Sequence, residues 1–164
     1  AIFTKGQVYK KKGDNAKMLE NMQLAITTAT KTNDTVIIKA AKNMIGSSLN
    51  QEGIAAYNKK MYTDAVTKLN SALEYGFKTK DLYYVLASSN NSLKKYDDAI
   101  AAANAGMALD EQTNEKLARY YLVIAQAYEA KKDIGNACAN YKKAAYGPNA
   151  ASVNKKIKDE LKCQ

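Results

Sequence analysis

Residues 83–106 read YYVLASSNNSLKKYDDAIAAANAG, and small residues recur in this stretch at fixed intervals. Ala87, Ala99 and Gly106 are separated by twelve and then seven positions. The same two intervals separate Gly53, Ala65 and Ala72, and again Ala125, Ala137 and Ala144. The middle members lie 34 residues apart (Ala65 to Ala99) and then 38 apart (Ala99 to Ala137). A self-similar period of this length marks a stacked array of helix pairs. Such arrays present partner surfaces more often than reaction centres.

Each unit reads as two antiparallel helices, A and B. Tyr62, Tyr96 and Ile134 stand three positions before the middle small residue; Leu69, Ala103 and Tyr141 stand four after it. The first small residue then falls mid-way along helix A and the second in the opening turns of helix B. Where the two axes approach most closely a large side chain would force them apart, so Gly or Ala is required at both points. Leu82, Tyr83, Val85 and Leu86 follow a 3.6-residue period, not an alternating one. Gly76, the run Asp110 to Asn114, and Gly147-Pro148-Asn149 punctuate the units as turns.

This pattern resembles the tetratricopeptide repeat family. The resemblance is carried by Gly53-x3-Tyr57-x4-Tyr62-x2-Ala65-x6-Ala72-Leu73, by Tyr83-x2-Leu86-Ala87 with Tyr96-x2-Ala99-x6-Gly106, and by Tyr121-x2-Ile124-Ala125-x2-Tyr128 with Ile134-x2-Ala137-x3-Tyr141-x2-Ala144. It spans about residues 47 to 147. It implies an all-α, right-handed superhelical solenoid of antiparallel helix pairs. The sequence departs from the family where the closing proline of a repeat is replaced by Phe77 and Glu111, and where Pro148 sits one place early. Four extra residues lengthen the loop before the third unit, around Glu111 to Leu117.

Gly6, Met18 and Ala25 repeat the twelve and seven intervals, so residues 1–31 read as a degenerate fourth unit. About 13 residues are inserted between it and the first regular unit. Asn33-Asp34 can cap a helix starting near Thr35, with Val36, Ile37, Ala40, Ala41, Met44, Ile45 and Leu49 along it and a bend allowed at Gly46-Ser47-Ser48. After the third unit, Ala151, Val153, Ile157 and Leu161 recur among lysines as an amphipathic cap. The expected organisation is a single domain. Residues 1–46 hold the degenerate unit and the start of the long helix, 47–80, 81–114 and 115–149 are repeats, and 150–164 is the cap. Ala1 in place of methionine suggests a processed or truncated product, or equally an engineered start, and no apolar run approaches the roughly 20 residues of a membrane span.

The formal charge is +9, with 25 basic residues against 16 acidic and no histidine. Ten lysines face four acids in residues 1–60, seven basic residues face nine acids in 61–130, and eight face three in 131–164. Lys11-Lys12, Lys59-Lys60, Lys94-Lys95 and Lys131-Lys132 each close a helix A, where cations complement the exposed carbonyls. Arg119 is the sole arginine, so the fork that grips phosphate or reads guanine is nearly missing and specific nucleic-acid binding is not expected. Without histidine the commonest general base is absent. The tight acidic pair Asp97-Asp98 lies in the first turn of a helix B, where acids stabilise the terminus. Neither a catalytic site nor a cofactor nor a metal site is expected.

Two cysteines remain. Cys138 falls in the third helix B and Cys163 near the end of the cap, and antiparallel helices joined at Gly147-Pro148-Asn149 can bring these ends together. The alternative is two unrelated buried thiols. The segment from Gly135 through Cys138, Tyr141-Lys142-Lys143 and Gly147-Pro148 to Leu161-Lys162-Cys163 resembles the closing segment of exported tetratricopeptide proteins of Gram-negative anaerobes. That resemblance implies an oxidising compartment, the bacterial periplasm or cell surface, with the pair disulfide-bonded.

In the family register the groove face takes Asn50, Ile54, Tyr57 and Asn58 from the first regular repeat, Tyr84, Ser88 and Asn91 from the second, and Leu122, Gln126 and Glu129 from the third. The implied function is a non-catalytic scaffold that binds a protein or peptide there, through amides and tyrosines. The clamp by which chaperone-binding members hold a terminal carboxylate is not supported: its places hold Asn50, Gln51, Ile54, Tyr84, Val85 and Ser88, without a cation. The competing reading is a basic surface that docks on polyanions such as nucleic acid or anionic envelope polymers.

Overall fold

The computed structural model describes residues 1–163. They contain nine α-helices and no strand. In order these are α1 (Ile2–Lys11), α2 (Asn15–Lys31), α3 (Thr35–Asn58), α4 (Tyr62–Glu74), α5 (Lys80–Ser92), α6 (Tyr96–Met107), α7 (Asn114–Ala130), α8 (Ile134–Ala144) and α9 (Ala150–Lys155). A 3-10 turn (Gly147–Asn149) precedes α9, and a π-wound segment (Lys156–Glu160) follows it. Consecutive helices pack as pairs, α1 with α2, α5 with α6, and α7 with α8. This is the architecture of the tetratricopeptide solenoid.

The described residues divide into two compact units: Ala1–Ala55 with Thr67–Lys78, and Ala56–Val66 with Thr79 onward. In the first, the small-residue rule holds at Gly6, where a Cβ would press on Met22 and on Asn21, 3.3 Å away. Met18 and Ala25 are buried in the same pair, so methionine fills the place that alanine takes in the other units. Helix α3 runs unbroken through Gly46, and its closeness to the α4 end explains that glycine: a Cβ there would collide with Phe77. The Asp34 carboxylate accepts the Ile37 N–H at 3.0 Å, which fixes where α3 begins.

The second unit buries Ala87, Ala99, Gly106, Ala125, Ala137 and Ala144, all members of the interval pattern. The Thr79 hydroxyl caps α5 through the Leu82 N–H at 3.1 Å, and Thr113 caps α7 through Lys116 at 3.4 Å. The extra loop residues before α7 are pinned by Gln112, which donates to the carbonyls of Met107 at 2.8 Å and Asp110 at 3.0 Å.

A-to-B corners share one geometry. Gly13, Lys60, Lys94 and Lys132 all have positive φ, at 75°, 61°, 62° and 63°. At the second-unit corner after α5, the Lys95 N–H reaches the Asn90 carbonyl (2.9 Å) and the Lys94 N–H reaches Asn91 (3.0 Å), the two-bond Schellman closure. The lysine pairs expected to complement a helix C-terminus therefore supply, at Lys60, Lys94 and Lys132, a left-handed corner residue where glycine would be unstrained.

The cap is shorter and less regular than the single helix expected of residues 150–162. Val153 is buried, and Ile157 and Leu161 pack with it against Ala125, Ala137, Tyr141 and Ala144. Ala151, expected on that apolar stripe, is exposed. After Lys155 the winding widens, with Leu161 N–H bonded to the Lys156 carbonyl and Cys163 N–H to Ile157, both 3.0 Å. Wider turns place more residues in each unit of axial length. Cys138 lies ten residues before Pro148 and Cys163 fifteen after it; the wider winding absorbs that difference, and the two form a disulfide with Cα atoms 5.6 Å apart.

Candidate functional site

Residues on α5 and α7 repeat at 38-residue spacing. Tyr84, Ser88 and Asn91 stand at i, i+4 and i+7 on α5; Leu122, Gln126 and Glu129 stand at the same intervals on α7. That spacing puts each trio on one helix face. None of the six is fully buried; Gln126 is exposed and the others are half-buried. Tyr57 and Asn58, from the end of α3 in the same compact unit, are half-buried and exposed respectively. Asn50 and Ile54, both half-buried, belong to the first unit.

The structure joins these residues in rungs. The Tyr57 and Ser88 hydroxyls share a hydrogen bond, and burial of the Tyr57 ring followed by the nearby Tyr84 hydroxyl raises the Tyr57 pKa despite it. The Asn91 amide donates to Gln126 Oε1 at 3.4 Å. Glu129 accepts from the Tyr141 hydroxyl and from Lys156 Nζ, the latter at 2.9 Å. The row is therefore polar and internally bonded, and Glu129 is tied down on both sides. Tyr141 is buried, and its phenol is pushed above its ordinary range, first by burial and then by the bond to the Glu129 carboxylate.

Sequence reasoning missed the extension of this row toward the helix N-termini. Asp81 and Arg119 share the 38-residue register and pair, Nη1 to Oδ1 at 2.9 Å. The Arg119 guanidinium also lies over the rings of Tyr84 (5.0 Å) and Tyr120 (4.8 Å). Its other nitrogen, Nη2, donates to Asp110 Oδ2 at 2.9 Å and to the Tyr120 hydroxyl at 2.8 Å. Asp110 is the centre of the knot, with its side chain 1% exposed. Its Oδ1 accepts from Lys80 Nζ and from the Glu111 N–H, both at 2.9 Å. Burial alone would raise the Asp110 pKa, but these bonds outweigh it and hold the carboxyl well below the usual carboxylate range. Burial likewise pushes the Tyr120 phenol up to about 12 against the opposing pull of Arg119. A lone arginine in register with an aspartate was the available signal.

The acidic pair behaves as a helix start should. Asp97 and Asp98 occupy the first turn of α6, and Asp97 pairs with Lys131. Among the described residues no group of three or more His, Cys, Asp or Glu could hold a metal ion. Among them too, no helix is long and apolar enough to cross a membrane.

The tetratricopeptide repeat family model matches residues 1–32 and 118–146. The first match covers the unit read as degenerate, while the regular units at 47–80 and 81–114 lie outside both matches. The fold is similar to the Arabidopsis OM64 TPR domain (TM-score 0.62, 19% identity, covering 71% of this chain and 97% of that one). It is also similar to the TPR2AB domain of yeast Sti1, solved as a complex with pHSP90 (TM-score 0.55, 20% identity, 98% and 67% covered). A third similar structure is the MamA protein (TM-score 0.56, 20% identity, 98% and 84% covered). No curated protein matches the sequence. The chain therefore has the tetratricopeptide fold, and two stretches of its sequence, residues 1–32 and 118–146, match the repeat itself.

Proposed function

We propose that this protein is a non-catalytic scaffold that holds a partner protein or peptide on the groove face of its A helices. The observation that carries this reading is the register-locked row of Tyr84, Ser88 and Asn91 on α5 with Leu122, Gln126 and Glu129 on α7. Helix packing buries the small residues and leaves this row of amides, hydroxyls and a tyrosine partly exposed, groups that pair with an extended peptide backbone. Tyr57 and Asn58 continue the row from α3, and Asn50 and Ile54 are assigned to it by repeat register. The pHSP90 complex of the Sti1 relative supports the choice of a peptide partner. An acidic C-terminal motif is not proposed, because the clamp positions carry no free cation.

We place the protein in an oxidising compartment, the bacterial periplasm or cell surface, on the strength of the Cys138–Cys163 disulfide. The polyanion reading has less support: basic excess is divided between the two units, ten lysines over five acids in the first and fifteen basic residues over eleven acids in the second. The only arginine is engaged by Asp81, Asp110 and two tyrosines.

The test is affinity capture from an envelope fraction with the wild-type chain and with a Tyr84→Ala/Asn91→Ala/Gln126→Ala variant. A partner retained by the wild type at moderate salt, and bound at least tenfold more weakly by the variant, supports the reading. Binding equal in both, or binding that collapses as salt rises from low to physiological strength, rejects it.

A further inference from the structure

We propose that the N-terminal half of α3 and the end of α4 form a docking surface for an acidic amphipathic helix of a partner protein. This surface lies wholly within the first unit and is independent of the α5–α7 face.

About 13 residues separate the first unit from the regular repeat register, and they lengthen α3 to 24 residues. The inner side of that length is buried at Ala41 and Ile45. Its outer side carries Val36, which is 75% exposed, the highest value among the exposed large hydrophobic residues. Beside Val36 is an open depression of about 820 Å³ lined by Val36, Ile38, Lys39, Ala40, Lys42 and Tyr75, among others. An exposed apolar residue beside a concave apolar floor is the arrangement that takes side chains from a partner helix.

Charge identifies the partner. No carboxylate lines the depression. No acid occurs between Thr35 and Gln51, whereas Lys39 and Lys42 lie within it. The carboxylates nearest in sequence are Asp34, which caps α3 through the Ile37 N–H, and Glu74, which does not line the depression. Lys39 and Lys42 take part in no ion pair among the described residues, unlike Lys17, Lys68, Lys80, Lys131 and Lys156. Two unpaired cations lying on α3 between Ile38 and the Val36/Ala40 edge complement a helix that carries an apolar stripe with Glu or Asp beside it. The apolar stripe would cover Val36 and Ala40, which share one face of α3, and its carboxylates would meet the adjoining Lys39 and Lys42 ammonium groups.

The experiment uses the full chain and a fluorescein-labelled 18-residue amphipathic helix of Leu and Glu, read by anisotropy at physiological salt. A matched peptide with Lys in place of Glu serves as the control. The proposal expects saturable binding of the acidic peptide only, weakened at least tenfold by Lys39→Glu/Lys42→Glu and at least fivefold by Val36→Asn. Lys10→Glu/Lys11→Glu on α1 should leave it unchanged, as should Tyr84→Ala/Asn91→Ala. Val36, Lys39, Lys42 and Lys11 are exposed and Lys10 is partly so, and the circular dichroism melts of these variants should superimpose on that of the wild type. No binding, equal binding of the basic peptide, or insensitivity to the α3 variants overturns the proposal. Tighter association with heparin or with phosphatidylglycerol vesicles than with the acidic peptide also overturns it.

Discussion

Gly106 lies directly against the ring of Tyr120, and that ring cannot retreat. Its hydroxyl is held at the far end by Arg119 Nη2 at 2.8 Å and lies 3.1 Å from the Lys80 carbonyl. A Cβ on Gly106 would meet the Tyr120 ring and stand 3.1 Å from Tyr83 Cβ. The polar knot and the small-residue rule are therefore one constraint. Gly106→Ala should destabilise the chain by about 1–3 kcal/mol through overpacking, and so should Ala99→Leu at the fully buried neighbouring position. Denaturant melts check both, and unchanged midpoints would count against close helix approach at these residues.

Asp110 gives the molecule an acid sensitivity whose sign is fixed. Its carboxyl is held below the unfolded value, so its stabilising contribution is complete above about pH 4 and is lost as pH falls through the lowered native value. Asp110→Asn should flatten this part of the acid unfolding profile. Asp110→Ala should cost about 2–3 kcal/mol at neutral pH, because it leaves Lys80 and Arg119 facing a hole; their partial exposure keeps the figure below that of a fully buried pair.

At the alkaline end the sign reverses. Tyr120 favours its neutral form more in the native state than in the unfolded chain, so stability is present below about pH 10 and falls between about pH 10 and about pH 12. Absorbance at 295 nm should show Tyr120 and Tyr141 ionising only as the chain unfolds, after the accessible members of the twelve tyrosines have titrated.

The corner geometry predicts a gain. Gly13-Asp14 and Lys132-Asp133 both place an aspartate after the left-handed residue, and each aspartate caps the next helix, at 3.0 and 3.1 Å. Lys94-Lys95 has the same backbone but no side-chain cap. Lys94→Gly/Lys95→Asp should stabilise by about 1–2 kcal/mol, combining relief of left-handed strain with a new N-cap. Thermal melts check it, and a lower midpoint would refute the corner argument.

The cap yields the last prediction. Cys138→Ser/Cys163→Ser opens a 25-residue separation and should lower stability by about 3 kcal/mol in the chain-entropy account. Unfolded, unreduced wild type should contain no free thiol by titration.

The helix-pair architecture was legible because it depends on a local requirement, a small side chain wherever axes meet, and Gly53, Ala65, Ala87 and Ala99 satisfy it visibly. The start of α3 at Asp34 was legible for the same reason, since a cap acts within three residues. Asp110 was not legible, because its partners Lys80 and Arg119 are 30 and 9 residues away and only tertiary packing buries it. The 38-residue register that relates Tyr84, Ser88 and Asn91 to Leu122, Gln126 and Glu129 was legible, and the bonds among these side chains were not. Sequence shows that Glu129 repeats Asn91; it does not show that Tyr141 and Lys156 both reach it. The irregular cap escaped because Val153, Ile157, Leu161 and Cys163 meet α7 and α8 residues that only tertiary packing brings close.

Lys156 gives the terminal helix a second meaning. By neutralising Glu129 it brings, from the segment after α9, a cation to the end of the α5–α7 row. Anyone lengthening the array by splicing new modules after Ala144 must therefore carry a cation to that spot. A module without one would abut an acid stripped of its counterion, and growth would stall at the junction.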